Sequence, residues 1–93
     1  MGLEIKGKLI NVKPIQEVSA SFSKREIVIE IEGQYPQEVQ LELHQTSVDL
    51  IDSYQIGDNL KVSFNLRGKR YEKEGEETKW FNTLQAWRIE KTQ

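Results

Sequence analysis

The sequence predicts an all-β domain: a five-stranded barrel with one short helix between the third and fourth strands. Five segments alternate apolar and polar residues at the period of a half-buried strand, and the one segment that breaks this alternation does so with helical spacing. The chain of 93 residues is also too short to cover both faces of an open sheet, and a small closed barrel leaves few open edges.

Residues 3–13 (LEIKGKLINVK) put Leu3, Ile5 and Leu9 on one parity and Glu4, Lys6 and Lys8 on the other, with Gly7 on the apolar side. Beyond Leu9 the apolar parity passes to Ile10 and Val12, which predicts a bulge or sharp bend, and a glycine within the strand fits that. Residues 14–24 (PIQEVSASFSK) are polar, contain Pro14 and three serines, and predict a long loop in which Phe22 stands out. Residues 25–32 (REIVIEIE) turn Ile27, Ile29 and Ile31 inward, with Glu26, Val28, Glu30 and Glu32 outward. Gly33-Gln34-Tyr35-Pro36 predicts a turn. Residues 38–44 (EVQLELH) alternate again, Val39, Leu41 and Leu43 facing in and Gln40, Glu42 and His44 facing out.

In residues 46–55 (TSVDLIDSYQ), Val48, Leu50, Ile51 and Tyr54 approximate helical spacing behind a Thr46 or Ser47 cap. About two helical turns are expected, ended by Gly57-Asp58. Residues 59–67 (NLKVSFNLR) form the clearest strand, with Leu60, Val62, Phe64 and Leu66 inward. Residues 68–79 (GKRYEKEGEETK) read as a charged hairpin arm with Gly75 near its tip, and residues 80–90 (WFNTLQAWRIE) as the last strand, Leu84 and Ala86 inside. This order of strands, helix and two long connections is that of the OB-fold, a partly open barrel whose long connections flank a binding face on the second and third strands.

Composition narrows the function. Residues 1–93 are expected to form a single OB-fold domain. The net charge of −2 argues against a wholly basic surface while permitting a local basic patch. The absence of cysteine excludes disulfides, cysteine-ligated zinc, iron–sulfur clusters and thiol nucleophiles. There is no apolar run of membrane-spanning length, no signal-peptide pattern, and no serine or threonine at Lys6 where an acylated Gly2 would require one. A soluble, cytoplasmic protein is expected. One histidine, no phosphate-binding glycine loop and no nucleophile motif give no catalytic constellation, so the chain is expected to be no enzyme and to use no cofactor. Glu72, Glu74, Glu76 and Glu77 lack the spacing of a calcium loop and read as a solvated arm, so no metal is expected.

The run Gly68-Lys-Arg-Tyr-Glu-Lys-Glu-Gly75, followed by Trp80-Phe-Asn-Thr-Leu-Gln-Ala86, resembles the hairpin between the fourth and fifth strands of bacterial single-stranded-DNA-binding proteins. A second resemblance covers nearly the whole chain. It is carried by Lys24-Arg25-Glu26, Gln34-Tyr35-Pro36, Val48-Asp49-Leu50, Gly57-Asp58, Phe64-Asn65-Leu66-Arg67-Gly68 and Phe81-Asn82-Thr83-Leu84-Gln85-Ala86-Trp87-Arg88-Ile89-Glu90. These runs are similar to a bacterial and phage domain family of unknown function with an OB-type fold. The two resemblances imply the barrel and, through the first group, single-strand binding. Two departures stand out. Tyr71 occupies a place where family members often carry tryptophan, and the sequence ends at Lys91-Thr92-Gln93 without the acidic tip by which bacterial single-strand binders recruit partners. Recruitment of that kind is therefore not expected.

Sequence-tolerant binding of a single strand needs aromatic faces for the bases and cations for the phosphates. Both occur in the two long connections, which are expected to be neighbours. The candidates are Phe22, Lys24, Arg25, Tyr35, His44, Arg67, Lys69, Arg70, Tyr71, Lys79 and Trp80; between Lys61 and Tyr71 there are four cations and no acid. Each candidate has a plainer reading. Phe22 can plug the barrel end, Tyr35 can pack a turn, His44 can be solvated, Arg67 can pair across the sheet, and Trp80 and Trp87 can belong to a core rim or an oligomer contact. Glu26, Glu30, Glu32, Glu38 and Glu42 on the outward face oppose a nucleic-acid role there.

The expected function is a small single-stranded-DNA-binding protein of replication or recombination, preferring DNA and assembling as a homo-oligomer through the first strand at Ile10 and Val12. No membrane or small-molecule partner is expected. The alternative is an OB-type protein-interaction module, an adaptor or a phage-borne inhibitor of a host protein.

Overall fold

The computed structural model describes residues 3–92; the acylation reading at Gly2 and the end of the chain at Gln93 lie outside them. Six strands run as β1 (Leu3–Val12), β2 (Gln16–Ser19), β3 (Phe22–Ile31), β4 (Gln37–His44), β5 (Asn59–Tyr71) and β6 (Lys79–Lys91). They form one sheet in the order β1-β5-β6-β4-β3-β2, and a further β1–β3 pairing closes β1, β3, β4, β6 and β5 into a five-stranded barrel. The sequence-based reading of an all-β barrel is thus the observed architecture.

The closure depends on β1 serving two neighbours. Leu3–Lys8 pair with β5, and Lys8–Val12 pair with β3. The register shifts between Leu9 and Asn11, so Ile10 is the extra residue of a bulge at the point where the apolar parity changes. Gly7 lies against β3 so closely that a Cβ there would overlap the Glu30 carbonyl and the Ile29 side chain. Only glycine lets the two backbones approach this far.

Leu9, Ile27, Ile29, Leu41, Leu43, Leu60 and Val62 are completely enclosed, with Ile51, Ala86 and Ile89 beside them. Val12, Ile31, Val39, Phe64 and Leu84 pack on this core while partly exposed. Two residues expected inside are outside: Leu3 is 46% exposed and Leu66 is 60% exposed. Leu66 has the inward parity, but β5 has by then left the barrel and there is no interior for it to face.

Two further expectations are corrected. Residues 14–24 are not an irregular loop: β2 pairs with the start of β3, from Gln16↔Lys24 to Ser19↔Phe22, and the segment is a short hairpin that extends β3 beyond the barrel. The two helical turns over 46–55 are two separate 3-10 turns, Gln45–Ser47 and Leu50–Ser53. Only Val48 and Ile51 of their apolar residues are buried, too little apolar contact to sustain a longer helix. Tyr54 ties the second turn to the barrel, its hydroxyl donating to the Ile89 carbonyl at 2.9 Å.

Candidate nucleic-acid interface

The outward residues of β3 and β4 face each other rung by rung: Lys24↔His44, Glu26↔Glu42, Val28↔Gln40 and Glu30↔Glu38. β4 then touches β6 at a parallel rung, Glu42↔Gln85, and β6 continues into β5 through Asn65↔Gln85 and Arg67↔Thr83. One surface therefore runs across β3, β4, β6 and β5.

At one end of it stand Phe22, Lys24 and His44. The Phe22 and His44 rings meet edge to face, centroids 5.1 Å apart. His44 Nε2–H donates to Glu42 Oε1 at 2.7 Å, and Lys24 Nζ lies 4.0 Å from the same carboxylate. At the other end is the β5–β6 arm. Arg67 Nε donates to Gln85 Oε1 at 3.0 Å, which fixes the guanidinium on the outward side. Lys69 and Tyr71 share that side, and Phe81 faces them from β6, its ring packed edge to face on Tyr71 at 6.3 Å. Lys79 is the rung partner of Tyr71. The whole forms a diagonal: rings and a lysine at the hairpin, a polar middle of Glu42 and Gln85, then three arm cations, Arg67, Lys69 and Lys79, and a second pair of rings.

Direction matters here. Because β6 runs parallel to β4, the arm leaves the barrel on the side where β4 begins, whereas the β2–β3 hairpin lies where β4 ends. The two long connections are not neighbours; they bracket the face from opposite ends. An extended strand crossing β3, β4, β6 and β5 would meet both.

The glutamates that opposed this reading are partly neutralised by the face itself. Glu26 has Lys13 Nζ at 3.6 Å and accepts from Gln40 Nε2 at 2.9 Å, while Glu42 has Lys24 Nζ at 4.0 Å and accepts from His44. The opposed Glu30 and Glu38 concentrate negative charge toward the β3–β4 turn instead, while Glu32 there has Lys8 Nζ at 4.0 Å. Tyr35 sits in that turn, 77% exposed, at the far end of β3 from Phe22 and off the diagonal.

Three other candidates also lie elsewhere. Arg25 has the opposite parity to Lys24. Its Nε donates to the Lys13 carbonyl at 2.9 Å, and its Nη1 reaches the Val48 carbonyl at 3.3 Å and Asp52 Oδ1 at 2.8 Å. This arginine clamps the hairpin base to the 3-10 segment, with Nε and Nη1 both engaged there, away from the face that carries Lys24. Arg70 and Trp80 are rung partners on the reverse face of the arm, with Leu66 and Leu84, and Arg70 pairs with Glu72 at 3.3 Å.

Two residues are added. Phe81 alternates with the inward Ala86 and Leu84, so the strand period placed it outward; its neighbour Trp80 drew attention instead. Trp87 follows inward Ala86 and faces outward by alternation; it is the extra residue of a bulge, Phe64 pairing with Ala86 and Ser63 with Arg88, which keeps Arg88 outward and turns Ile89 into the core. It lies two residues beyond the Gln85 rung, as His44 lies two beyond Glu42. The sequence signal for that bulge is the passage of the apolar parity from Leu84 and Ala86 to Ile89.

Residues 4–90 match a family described as a domain of unknown function, DUF3127. The chain belongs to this family. No curated protein matches it. Among solved structures it is similar to the mitochondrial single-stranded DNA binding protein Rim1 of S. cerevisiae, with a TM-score of 0.71 at 11% identity, covering 99% of this chain and 94% of that one. It is also similar to the N-terminal domain of PriB from Thermoanaerobacter tencongensis, solved as a dimer, with a TM-score of 0.67 at 14% identity, covering 99% of this chain and 96% of that one. At these identities the likeness establishes the shared fold, an OB-type barrel.

Proposed function

We propose that this DUF3127 chain binds single-stranded nucleic acid, DNA in preference to RNA, along the diagonal from Phe22 to Tyr71. The observation that carries the reading is the placement of two ring pairs at the ends of one surface, Phe22–His44 and Tyr71–Phe81, with Lys24, Arg67, Lys69 and Lys79 on the same side. Bases stack on the rings, worth roughly 1–3 kcal/mol each, and phosphates follow the cations. The likeness to Rim1, a single-stranded-DNA-binding protein, supports the same use of the barrel. The proposal includes a role on the strands exposed in replication and recombination, in the cytoplasm, without catalysis.

Self-association belongs to the proposal, with the PriB dimer as its support. The edge first expected to mediate it is altered: Val12 packs on the core and Lys8–Val12 pair with β3, so the open stretch of β1 is Leu3–Lys6, which pairs only with β5.

Titration of oligo-dT into the protein at several salt concentrations, followed by tryptophan emission, tests the reading. Trp87 borders the diagonal, so quenching is expected. Four phosphate-bound cations predict a slope of log affinity against log salt of about −3. Absence of binding at low salt ends the proposal. The alternative, a protein-interaction module, has its own observation in the exposed Leu66 and Trp80 on the reverse of the arm. It predicts a partner retained after nuclease treatment and no affinity for oligonucleotides.

A further inference from the structure

A groove lies beside Phe22, between the β2–β3 hairpin and the first 3-10 turn, lined also by Ser21, Ser23, Gln45 and Thr46. Its composition differs from the rest of the diagonal. It has one aromatic wall, four hydroxyls and one amide, and of its lining residues only Glu17 is charged. Among the described residues, the hydroxyls of Ser21, Ser23 and Thr46 have no hydrogen-bond partner in the protein, so they are open to an arriving group.

The backbone beneath the groove is unusual in a way that serves it. Gln45 has φ 51°, a left-handed conformation that residues with a side chain rarely adopt. The chain needs this to turn from β4 into the 3-10 segment, and glycine would do it without strain. Here a glutamine stands instead. Its Nε2 donates to the Ser21 carbonyl at 3.3 Å across the groove, leaving the amide oxygen and the second N–H uncommitted. A residue held in a sparsely populated conformation, with a hydrogen-bonding side chain spanning a cleft, marks a binding position.

We infer that this groove is a base-reading pocket: one unstacked nucleobase of the bound strand lies against Phe22 and presents its edge to Gln45, with the Ser21 and Thr46 hydroxyls completing its hydrogen bonds. This rests on the single-strand reading above and deepens it. The arm binds any base, because ring stacking is indifferent to the base edge. The pocket offers donors and acceptors at fixed positions and distinguishes one base from another. The T-shaped contact with His44 holds Phe22 in place before the base arrives, and Lys24, one strand residue beyond Ser23, takes a flanking phosphate.

The test has two parts. In the first, iodouracil-substituted oligo-dT is photocrosslinked to the wild-type protein and the modified peptides are identified by mass spectrometry. Crosslinks in residues 17–24 or at 45–46 are expected in addition to those in the arm. In the second, affinities for oligo-dT, oligo-dC and oligo-dA are compared across the wild type, Phe22→Leu and Gln45→Gly. Phe22→Leu keeps an apolar contact for His44 but removes the stacking face, and it lowers affinity for all three by about tenfold. Gln45→Gly suits the backbone, so the fold is retained; the ratios among the three affinities move toward one, by about fivefold for the base preferred by the wild type.

Crosslinks confined to residues 65–85, together with unchanged ratios in Gln45→Gly, overturn the pocket while leaving the single-strand reading intact. A wild type that binds none of the three oligonucleotides overturns both.

Discussion

The β2–β3 hairpin and the β5–β6 arm are both two-stranded ribbons that leave the barrel, and they are stabilised in opposite ways. The hairpin is short and tied down at its base. Arg25 bonds it to Lys13, Val48 and Asp52, and Gln45 bonds it to Ser21. The arm is long, its rungs continuing from Leu66↔Leu84 to Tyr71↔Lys79, and it is held by its own ladder and the Tyr71–Phe81 ring pair. A two-stranded ribbon without a third element is marginal in water. On the proposed single-strand reading, the difference separates two ways of gripping a flexible polymer: a preformed groove beside a fixed ring, and a mobile ribbon that gains order when bases cover its rings.

The largest effect lies on the mobile side. Tyr71→Ala combined with Phe81→Ala removes both arm rings, and at about 1–3 kcal/mol per stacked base the affinity for oligo-dT falls on the order of a hundredfold or more. Both rings are about half exposed, so the melting temperature changes little. Retained affinity would show that the hairpin end alone holds the strand, and the comparison between the two ribbons would lose its functional meaning.

The fixed side breaks differently. Arg25→Ala leaves the Lys13 and Val48 carbonyls and the Asp52 carboxylate without their donor. Charged hydrogen bonds of this kind stabilise by about 1.5–3 kcal/mol as a group when partly exposed, so melting drops by about 10 °C in thermal denaturation. Affinity measured well below the melting point stays within about twofold, and the salt slope is unchanged. If the slope instead drops by about 0.7, Arg25 contacts a phosphate, and the clamp is not its only role.

Lys69→Ala is expected to act only through phosphate. It lowers the salt slope by about 0.7 and weakens binding a few-fold at low salt, the loss shrinking as salt rises. An equal loss at all salt concentrations would assign Lys69 a contact to a base instead.

The contrast between the ribbons also explains what could be read from the residues alone. Period-2 alternation located every barrel strand, because each has one face on a common core: Ile27, Ile29, Leu41, Leu43, Leu60 and Val62 are all fully enclosed. The same logic identified the Ile10 bulge, where a buried parity visibly changes hands. It failed where no interior exists. On the arm and hairpin, parity still assigns sides, but neither side is buried, so Leu66 was expected in the core. The hairpin strand Gln16–Ser19 is exposed at every position and carries no pattern. Parity alone puts Lys24 and Arg25 on opposite sides of the strand, but the partners of these two adjacent cations were not legible in the sequence. Only the strand pairing puts one beside His44 and sends the other beneath the hairpin. The bulge at Trp87 follows buried Ala86, and the buried parity passes there from Ala86 to Ile89, a weaker mark than the one at Ile10 because a single residue carries the new parity.

The smallest effect is the most diagnostic for the arm. Trp80 is the larger ring and is 67% exposed, against 49% for Tyr71, so exposure and ring size both favour Trp80 as the stacking platform. The ladder argues the reverse. Tyr71 shares its side with Lys69, Arg67 and Phe81, whereas Trp80 shares its side with Leu66 and Arg70, and Arg70 is engaged by Glu72. A strand that lies across Gln85 and Arg67 reaches only the first side, since the ribbon itself stands between it and Trp80. Trp80→Ala is therefore expected to change oligo-dT affinity by less than about twofold, while Tyr71→Ala alone costs about tenfold. The tryptophan quenching on binding should survive Trp80→Phe, because the reporter beside the diagonal is Trp87. If Trp80→Phe abolishes the quenching and Trp80→Ala matches Tyr71→Ala, the bound strand wraps around the ribbon and uses both of its sides, and the arm is a spindle for the polymer instead of a platform.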